Sequence, residues 1–399
     1  MGADNDYLPA PPTDRFLITR TFGEGLKGYK STAFPHVAVL DMDDASRVEA
    51  VARWAIRHHG VQRVVAIHEK DMLLAARLRE DFDLPGMNFE ATLRFRDKVL
   101  MKDTLALAGY QGLPRYRSLE RGEVIESVPW TGRIVVKSRW GVGSSDVRIV
   151  GDIAQANEAA RELERRSDGL EVEEFIDGTM YHCDAVVHDG QVLFSAVSEY
   201  IAAPGQYGAN SVAGSVLLED GALKDAIRAD NALVLRHLGL TCGVTHVEYF
   251  HTPAGRLVFC EAAARPGGGG IDDIVFRGTG VNLIRAAIEL QSGVVPHLPD
   301  EGDRATAVFG IVGMYHSDRG QDTRADDLLD AIPGVLSYQF ATPAVAGTVR
   351  HCTDYGHKLV IGAETRERFD DLAARAVRFI RGDRSASAAT TRGSHAATS

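Results

Sequence analysis

The sequence predicts an α/β chain: a parallel, doubly wound sheet at the N-terminus, then a small α+β unit, a larger antiparallel sheet and a C-terminal α+β region. Three observations predict it. Over the first hundred residues short apolar runs alternate with amphipathic stretches, the pattern of strands and crossover helices. From about residue 133 the rhythm changes to closely spaced apolar runs parted by turn residues. Segments 243–250 and 256–262 then flank Thr252-Pro-Ala-Gly, which has the chemistry of a hairpin turn. A length of 399 residues suits two or three domains of this kind.

Taken in order, residues 36–40 read as a strand and 45–58 as a helix with Val48, Val51, Ala52 and Ala55 on one side. Residues 61–67 read as a second strand and 70–81 as a second helix carrying Leu73, Leu74 and Leu78. No GxGxxG follows the first strand, so the residues predict no dinucleotide site there. Residues 133–136 and 147–150 read as strands, and 152–166 as a helix with Asp152 at its N-cap. Strands at 171–176, 181–187 and 192–198 follow, the last two joined by a turn at Asp189-Gly190. A helix from about 281 to 290, strands near 305–314 and 357–361, and a helix at 366–380 complete the ordered part. Residues 382–399 are rich in Ser, Thr and Ala and poor in hydrophobics, and are expected to be a disordered, dispensable tail.

Composition narrows the function. With 44 Lys+Arg against 55 Asp+Glu the net charge is −11, which argues against nucleic acid or an anionic membrane as a partner. The longest uncharged stretches, 200–218 and 331–349, each contain Pro and several Gly and predict no membrane span. The N-terminus is acidic and Pro-rich, without the basic and apolar regions of a secretory signal. Cys183, Cys242, Cys260 and Cys352 are scattered with no CxxC, so the expected setting is a reducing cytoplasm, with neither a disulfide frame nor a zinc knuckle.

Three segments have chemical content. In Val135-Val-Lys137-Ser-Arg-Trp-Gly141-Val-Gly143-Ser144-Ser145, an apolar strand ends in a lysine and runs into a loop of two glycines and two serines. Such a loop can turn backbone N–H groups around an anion while the lysine adds a point charge for a phosphate. A tight hairpin with a snorkelling lysine is the plainer reading; the spacing is not that of GxxxxGK[ST]. Only eight of the basic residues are lysines, and Lys98, Lys102 and Lys137 all fall near this segment.

The hairpin is more specific. With Thr252 opposite Leu257, Glu248 falls opposite Glu261 on the same face of the sheet. Adjacent carboxylates repel, so the pair either shares a proton or binds a cation. Mg²⁺ favours oxygen ligands and takes carboxylates together with nucleotide phosphates. Arg265 follows Glu261 at even spacing and can share that face, and Pro266 then opens a run of four glycines that allows close backbone approach to a ligand. An exposed Glu–Arg salt bridge is the plainer alternative. The third segment, Glu171-Val-Glu173-Glu174-Phe175-Ile176-Asp177-Gly178, is a strand ending in a turn that can serve as a hinge against an adenine edge.

Together these segments resemble the ATP-grasp superfamily over residues 96 to 290. Arg96-Asp97-Lys98 with Met101-Lys102 and Ala108-Gly109-Tyr110 resembles the family's DK…K…AG segment, whose first lysine reaches ATP phosphate. Lys137 and residues 141–145 resemble its second lysine and flexible glycine loop, and Glu173, Glu174, Phe175 and Ile176 its adenine and ribose hinge. His246-Val-Glu248 and Glu261-Ala-Ala-Ala-Arg265 resemble its metal and catalytic strands. Two positions depart from the pattern. Ala263 stands where an Asn metal ligand is common, and Met180 where many members have a ribose-binding Glu, a contact for which His182 or Asp184 is the substitute.

The resemblance implies a two-part ATP-grasp fold at 97–300, with a small lid at 118–180 and a large metal-bearing sheet at 181–300. A Rossmann-like domain at 1–96 precedes it and an α+β region at 301–381 follows. It also implies ATP and Mg²⁺ (or Mn²⁺) as cofactors, metal ligands Glu248 and Glu261, and catalytic roles for Arg265 and Lys137. Lys98, Lys137, Gly141, Gly143, Ser144, Ser145, the 173–176 hinge and His182 would contact the nucleotide. Within the family the EAAARPGG strand resembles the amino-acid and peptide ligase branch, a cytoplasmic enzyme class in which a homodimer is compatible. The reaction implied joins a carboxylate substrate, an amino acid, to an amine acceptor through an acyl phosphate. A biotin-carboxylase-like or purine-pathway enzyme using bicarbonate or formate, and a non-catalytic ATP-binding protein, are the alternatives.

Overall fold

A computed structural model describes residues 15–19, 36–144, 146–202, 211–299, 307–315, 323–341 and 354–382. Ser145, Cys352 and all but the first residue of the 382–399 tail lie outside them. Strand β1 (Phe16–Thr19) pairs in parallel with β2 (His36–Val39), and helix α1 (Ala45–His59) follows, its N-cap Asp44 accepting from Arg47 N at 3.0 Å. After a 3₁₀ turn at Glu69–Asp71 come α2 (Met72–Asp81), α3 (Phe89–Leu93) and α4 (Lys98–Leu107).

The small unit comprises β3 (Tyr116–Leu119), β4 (Ile134–Ser138), β5 (Val147–Val150), α5 (Ile153–Leu163) and β6 (Leu170–Glu174). Its four strands form an antiparallel sheet in the order β3-β6-β4-β5. Asp152 caps α5, as its position in the sequence predicts, accepting from Gln155 N at 2.8 Å.

The rest of the chain builds one wide antiparallel sheet. Its elements are β7 (Thr179–His188), β8 (Gln191–Tyr200), β9 (Val212–Leu217), α6 (Ala222–Leu238), β10 (Gly243–His251), β11 (Leu257–Ala263), α7 (Ile271–Thr279) and α8 (Leu283–Gln291). Then come β12 (Val308–Tyr315), α9 (Ala325–Ala331), β13 (Val335–Phe340), β14 (Tyr355–Ala363) and α10 (Arg366–Ile380). Eight strands run in the order β11-β10-β7-β8-β9-β12-β14-β13, so the C-terminal strands continue the sheet that starts in the middle of the chain. Tyr181, Cys183 and Ala185 pack with helices α4 and α6 in one core, while Val186 and Phe194 pack with α7 and α8 in another. No described helix is long and apolar enough to cross a membrane.

Two sequence expectations are corrected. Residues 61–67 form no strand and join no sheet. Their backbone groups are met by side chains instead: Ala66 exchanges two hydrogen bonds with the Gln291 amide, both at 2.9 Å, and Val64 O accepts from the buried Arg79 guanidinium. Among the described residues the parallel sheet is therefore two-stranded. The second correction concerns the hairpin register. Glu248 does pair with Glu261, but a bulge follows, so that Tyr249 pairs with Phe259 and His251 with Leu257. The extra residue is Cys260.

Candidate active site

A cavity lies between the two larger sheets and takes side chains from both. Of the residues singled out from the sequence, Lys98, Lys137, Gly141, Gly143, Ser144, Glu173, Glu174, Phe175, Ile176, Glu248, Glu261 and Arg265 line it. Positions scattered over 168 residues of sequence thus converge because β4, β6, β10 and β11 all contribute residues to the same space, β10 through the face that carries His246, Glu248 and Phe250.

The carboxylates come from the hairpin. Register brings Glu248 and Glu261 opposite each other, and the bulge turns Cys260 and Glu261 together toward the cavity. Burial alone would raise the Glu261 carboxyl, but Lys98, Lys137 and Arg265 outweigh it and hold the group well below the usual carboxylate range. Lys98 opens α4, and its Nζ lies 3.1 Å from Glu261 Oε2 and 2.8 Å from the Gly141 carbonyl, tying the glycine loop to the hairpin. In that loop Gly143 and Ser144 are successive left-handed residues, with φ of 63° and 58°. Only glycine adopts this conformation freely, so Ser144 costs roughly 1 kcal/mol there.

Lys137 is less free than its strand-end position suggests. With Lys102 it forms a buried cluster with Glu171 and Glu173: Lys137 Nζ is 3.3 and 3.2 Å from them, and Lys102 Nζ 2.9 and 2.8 Å. Burial works against the Lys137 charge, yet Glu173 and Glu171 together hold its pKa well above the ordinary value. The acidic hinge residues are committed too. Glu173 serves the lysines, and Glu174 accepts from the Arg115 guanidinium at 2.8 and 2.6 Å. What remains of the hinge for a ligand is the 175–178 turn, where the Arg133 guanidinium stacks on Phe175 at 3.6 Å.

His182 does not reach the cavity, and its expected nucleotide contact is corrected. It is fully buried, with Nδ1 2.6 Å from Asp184 Oδ2 and Nε2 bonded to Ser215 Oγ. Asp184 Oδ1 in turn meets His246 Nδ1 at 2.9 Å, and His246 Nε2 meets Glu248 Oε1 at 3.3 Å. Burial would lower the His246 pKa, but Asp184 and Glu248 outweigh it and push it up to about 10. Although His182, Asp184 and His246 converge within 4.8 Å, hydrogen bonds already satisfy them. The first of the four glycines has its reason here. A Cβ on Gly267 would sit 2.8 Å from Asp184 Oδ1 and 2.9 Å from His246 Nδ1. Gly268 and Gly269 line the cavity.

Arg265 has a partner the sequence did not suggest. Its Nε donates to Glu69 Oε2 at 2.5 Å and its Nη1 to the Pro266 carbonyl at 2.8 Å, leaving Nη2 without a partner among the described residues. Glu69 comes from the N-terminal region, nearly 200 residues away, between the strand expected at 61–67 and the helix expected at 70–81. Ala263 is buried opposite His246, so it brings no ligand oxygen, and Met180 gives the hinge side an apolar wall.

No family model matches the chain. It is 26% identical over 296 residues to an L-arginine-specific L-amino acid ligase of Bacillus subtilis, covering 70% of this chain and 68% of that protein. In three dimensions it is similar to the crystal structure of an L-amino acid ligase from Bacillus licheniformis, with TM-score 0.71, 19% identity and 86% of each chain covered. It is also similar to N5-carboxyaminoimidazole synthetase from Staphylococcus aureus complexed with ADP, with TM-score 0.66, 12% identity and 90% of each chain covered. The chain thus shares its fold with these enzymes, and its motifs follow the order of the ATP-grasp pattern that the sequence resembles.

Proposed function

We propose that the chain is an ATP-dependent ligase that joins the carboxylate of an amino acid to an amine through an acyl phosphate, releasing ADP and phosphate. The observation that carries this reading is the convergence of Glu248, Glu261, Lys98 and Arg265 on one cavity that also holds the 175–178 hinge. Similarity to two L-amino acid ligases, and to a synthetase complexed with ADP, supports it.

An ionised carboxylate does not acylate an amine in water, because oxide is too poor a leaving group. When its oxygen attacks the γ-phosphorus and ADP departs, that oxygen becomes part of a phosphate. The amine then adds to the acyl carbon, and inorganic phosphate leaves with the electron pair of the broken C–O bond. Glu248 and Glu261 suit a divalent cation: both offer hard oxygen donors to the cavity, and Glu261 is held ionised. Mg²⁺ or Mn²⁺ bound there would offset phosphate charge. Among the chain's own groups, Lys98 brings its charge beside the glycine loop. Arg265, always protonated, offers Nη2 to the acyl phosphate and to the oxyanion that follows. The loop around Gly143 covers the phosphates and keeps water from the intermediate.

The test is release of ADP by the full chain with ATP, Mg²⁺ and a matrix of amino acids, with mass spectrometry of the product. Amine-dependent release with an amide product is the expected result. Turnover driven by bicarbonate would replace this reading with the carboxylase-like one. ATP binding without turnover would mean a non-catalytic protein.

A further inference from the structure

The cavity continues past the carboxylates. The Tyr200 hydroxyl donates to Glu248 Oε1 at 2.6 Å, and from that point the lining crosses the wide sheet, since Tyr200 pairs in register with Ser215 and Ser215 with Ile311. The walls of this arm are Tyr200, Ala202, Ala213, Ile271, Ile311 and Tyr355. From this part of the chain the described lining residues are Tyr200, Ala202, Ala213, Gly214 and Ser215, none of them charged. On this side of the cavity Glu248 and Glu261 are the only carboxylates among the described residues. Asp272 and Lys358 are not part of the lining, although Lys358 lies against Gly270.

A substrate carboxylate that is to take up phosphate must lie against Glu248, Glu261 and Arg265. Its own side chain then falls into the opening beside Glu248. A guanidinium or ammonium there would lose water and find, among the described residues, no carboxylate besides Glu248 and Glu261, which the cation site engages in the ligase reading, whereas a hydrocarbon side chain would gain from the transfer. We infer that this arm holds the side chain of the carboxylate-bearing substrate and selects an uncharged amino acid of small or medium size, in contrast to the arginine named for the Bacillus subtilis relative. The inference rests on the ligase reading.

The experiment measures kcat/KM for alanine, valine, leucine, methionine, arginine, lysine and glutamate, with the N-terminal residue of each dipeptide product read by mass spectrometry, since that residue is the carboxylate donor. Uncharged donors are expected to exceed arginine by roughly a hundredfold. Arginine as the preferred N-terminal residue would overturn the inference and leave the ligase reading intact. No amino-acid-dependent ADP release would overturn the ligase reading itself. As a second arm, Ala202→Asp places a carboxylate in the wall and is expected to raise arginine relative to leucine by about tenfold or more. An unchanged ratio in a folded Ala202→Asp protein would mean that the donor side chain lies elsewhere.

Discussion

Glu69 holds Arg265. One carboxylate oxygen accepts from Arg265 Nε at 2.5 Å, and the other accepts from Arg96 Nη1 at 2.6 Å. Arg96 also reaches the Trp140 carbonyl at the mouth of the glycine loop, at 3.2 Å. A single buried carboxylate thus joins the N-terminal region, the loop and the guanidinium that would bind the acyl phosphate. Under the ligase reading its expected role is positioning. Glu69→Gln keeps the shape but weakens both charge-assisted bonds, so Arg265 loses its fixed orientation. Steady-state kinetics are expected to give kcat lower by about 10- to 100-fold, the scale of a small misplacement, with KM for ATP nearly unchanged. A purely structural role would instead lower the melting temperature and leave kcat of the folded fraction intact.

Arg265 is expected to separate chemistry from binding. In Arg265→Ala the Glu69 carboxylate still has Arg96, so the fold should survive. Nucleotide affinity should stay near normal while product formation falls on the order of 10²–10³-fold, the scale for losing an oxyanion donor. Arg265→Lys should rescue poorly, because an ammonium cannot both bond Glu69 and present a second N–H in the guanidinium plane. Loss of ATP binding together with activity, measured by calorimetry, would assign Arg265 a structural role.

The paired carboxylates give a metal prediction. Glu261→Gln removes one anionic oxygen donor and leaves Lys98 and Arg265 facing a neutral amide. Turnover should fall to background at ordinary Mg²⁺, with the far-UV spectrum and cooperative melting retained. A titration of activity against Mg²⁺ that matches the parent protein would exclude Glu261 as a ligand.

The hairpin was the most legible part of the site, because its turn residues and alternation alone locate Glu248 against Glu261. The bulge was not legible. Nothing in Val258-Phe-Cys-Glu261 marks which residue is extra, since that depends on the α4 side chains packed behind it, such as Met101, whose sulfur accepts from Ala262 N. In the small unit the strands near 133–136 and 147–150 and the helix capped by Asp152 stand where the sequence places them, whereas β3 was not expected. The strand expected at 61–67 failed for the opposite reason: its pattern is that of a strand, but its backbone partners are Gln291 and Arg79, chosen by tertiary packing. Glu69 was invisible for the same kind of reason. A charged residue in a turn looks solvated until the two arginines that bury it are found.

The final prediction concerns the buried cluster of Lys102, Lys137, Glu171 and Glu173. Two ammonium groups face two carboxylates, all buried, so the charges balance and removing one leaves another without its partner. Lys137→Met keeps the volume but strands one carboxylate with only Lys102 to share, at a cost of about 3 kcal/mol in stability. Glu173→Gln added to Lys137→Met should recover a large part of that loss, because the excess negative charge is removed. A double-mutant cycle by chemical denaturation measures the coupling. The pH dependence has a definite sign. Burial would raise the Glu171 pKa, but Lys102 and Lys137 outweigh it and depress it in the folded protein. Its contribution is therefore fully present above the unfolded value of about 4.3 and disappears as pH falls through the lower folded value. Glu171→Gln should flatten that acid limb. Additive single-mutant effects, together with an unchanged acid limb, would mean that these four groups are neighbours without being coupled.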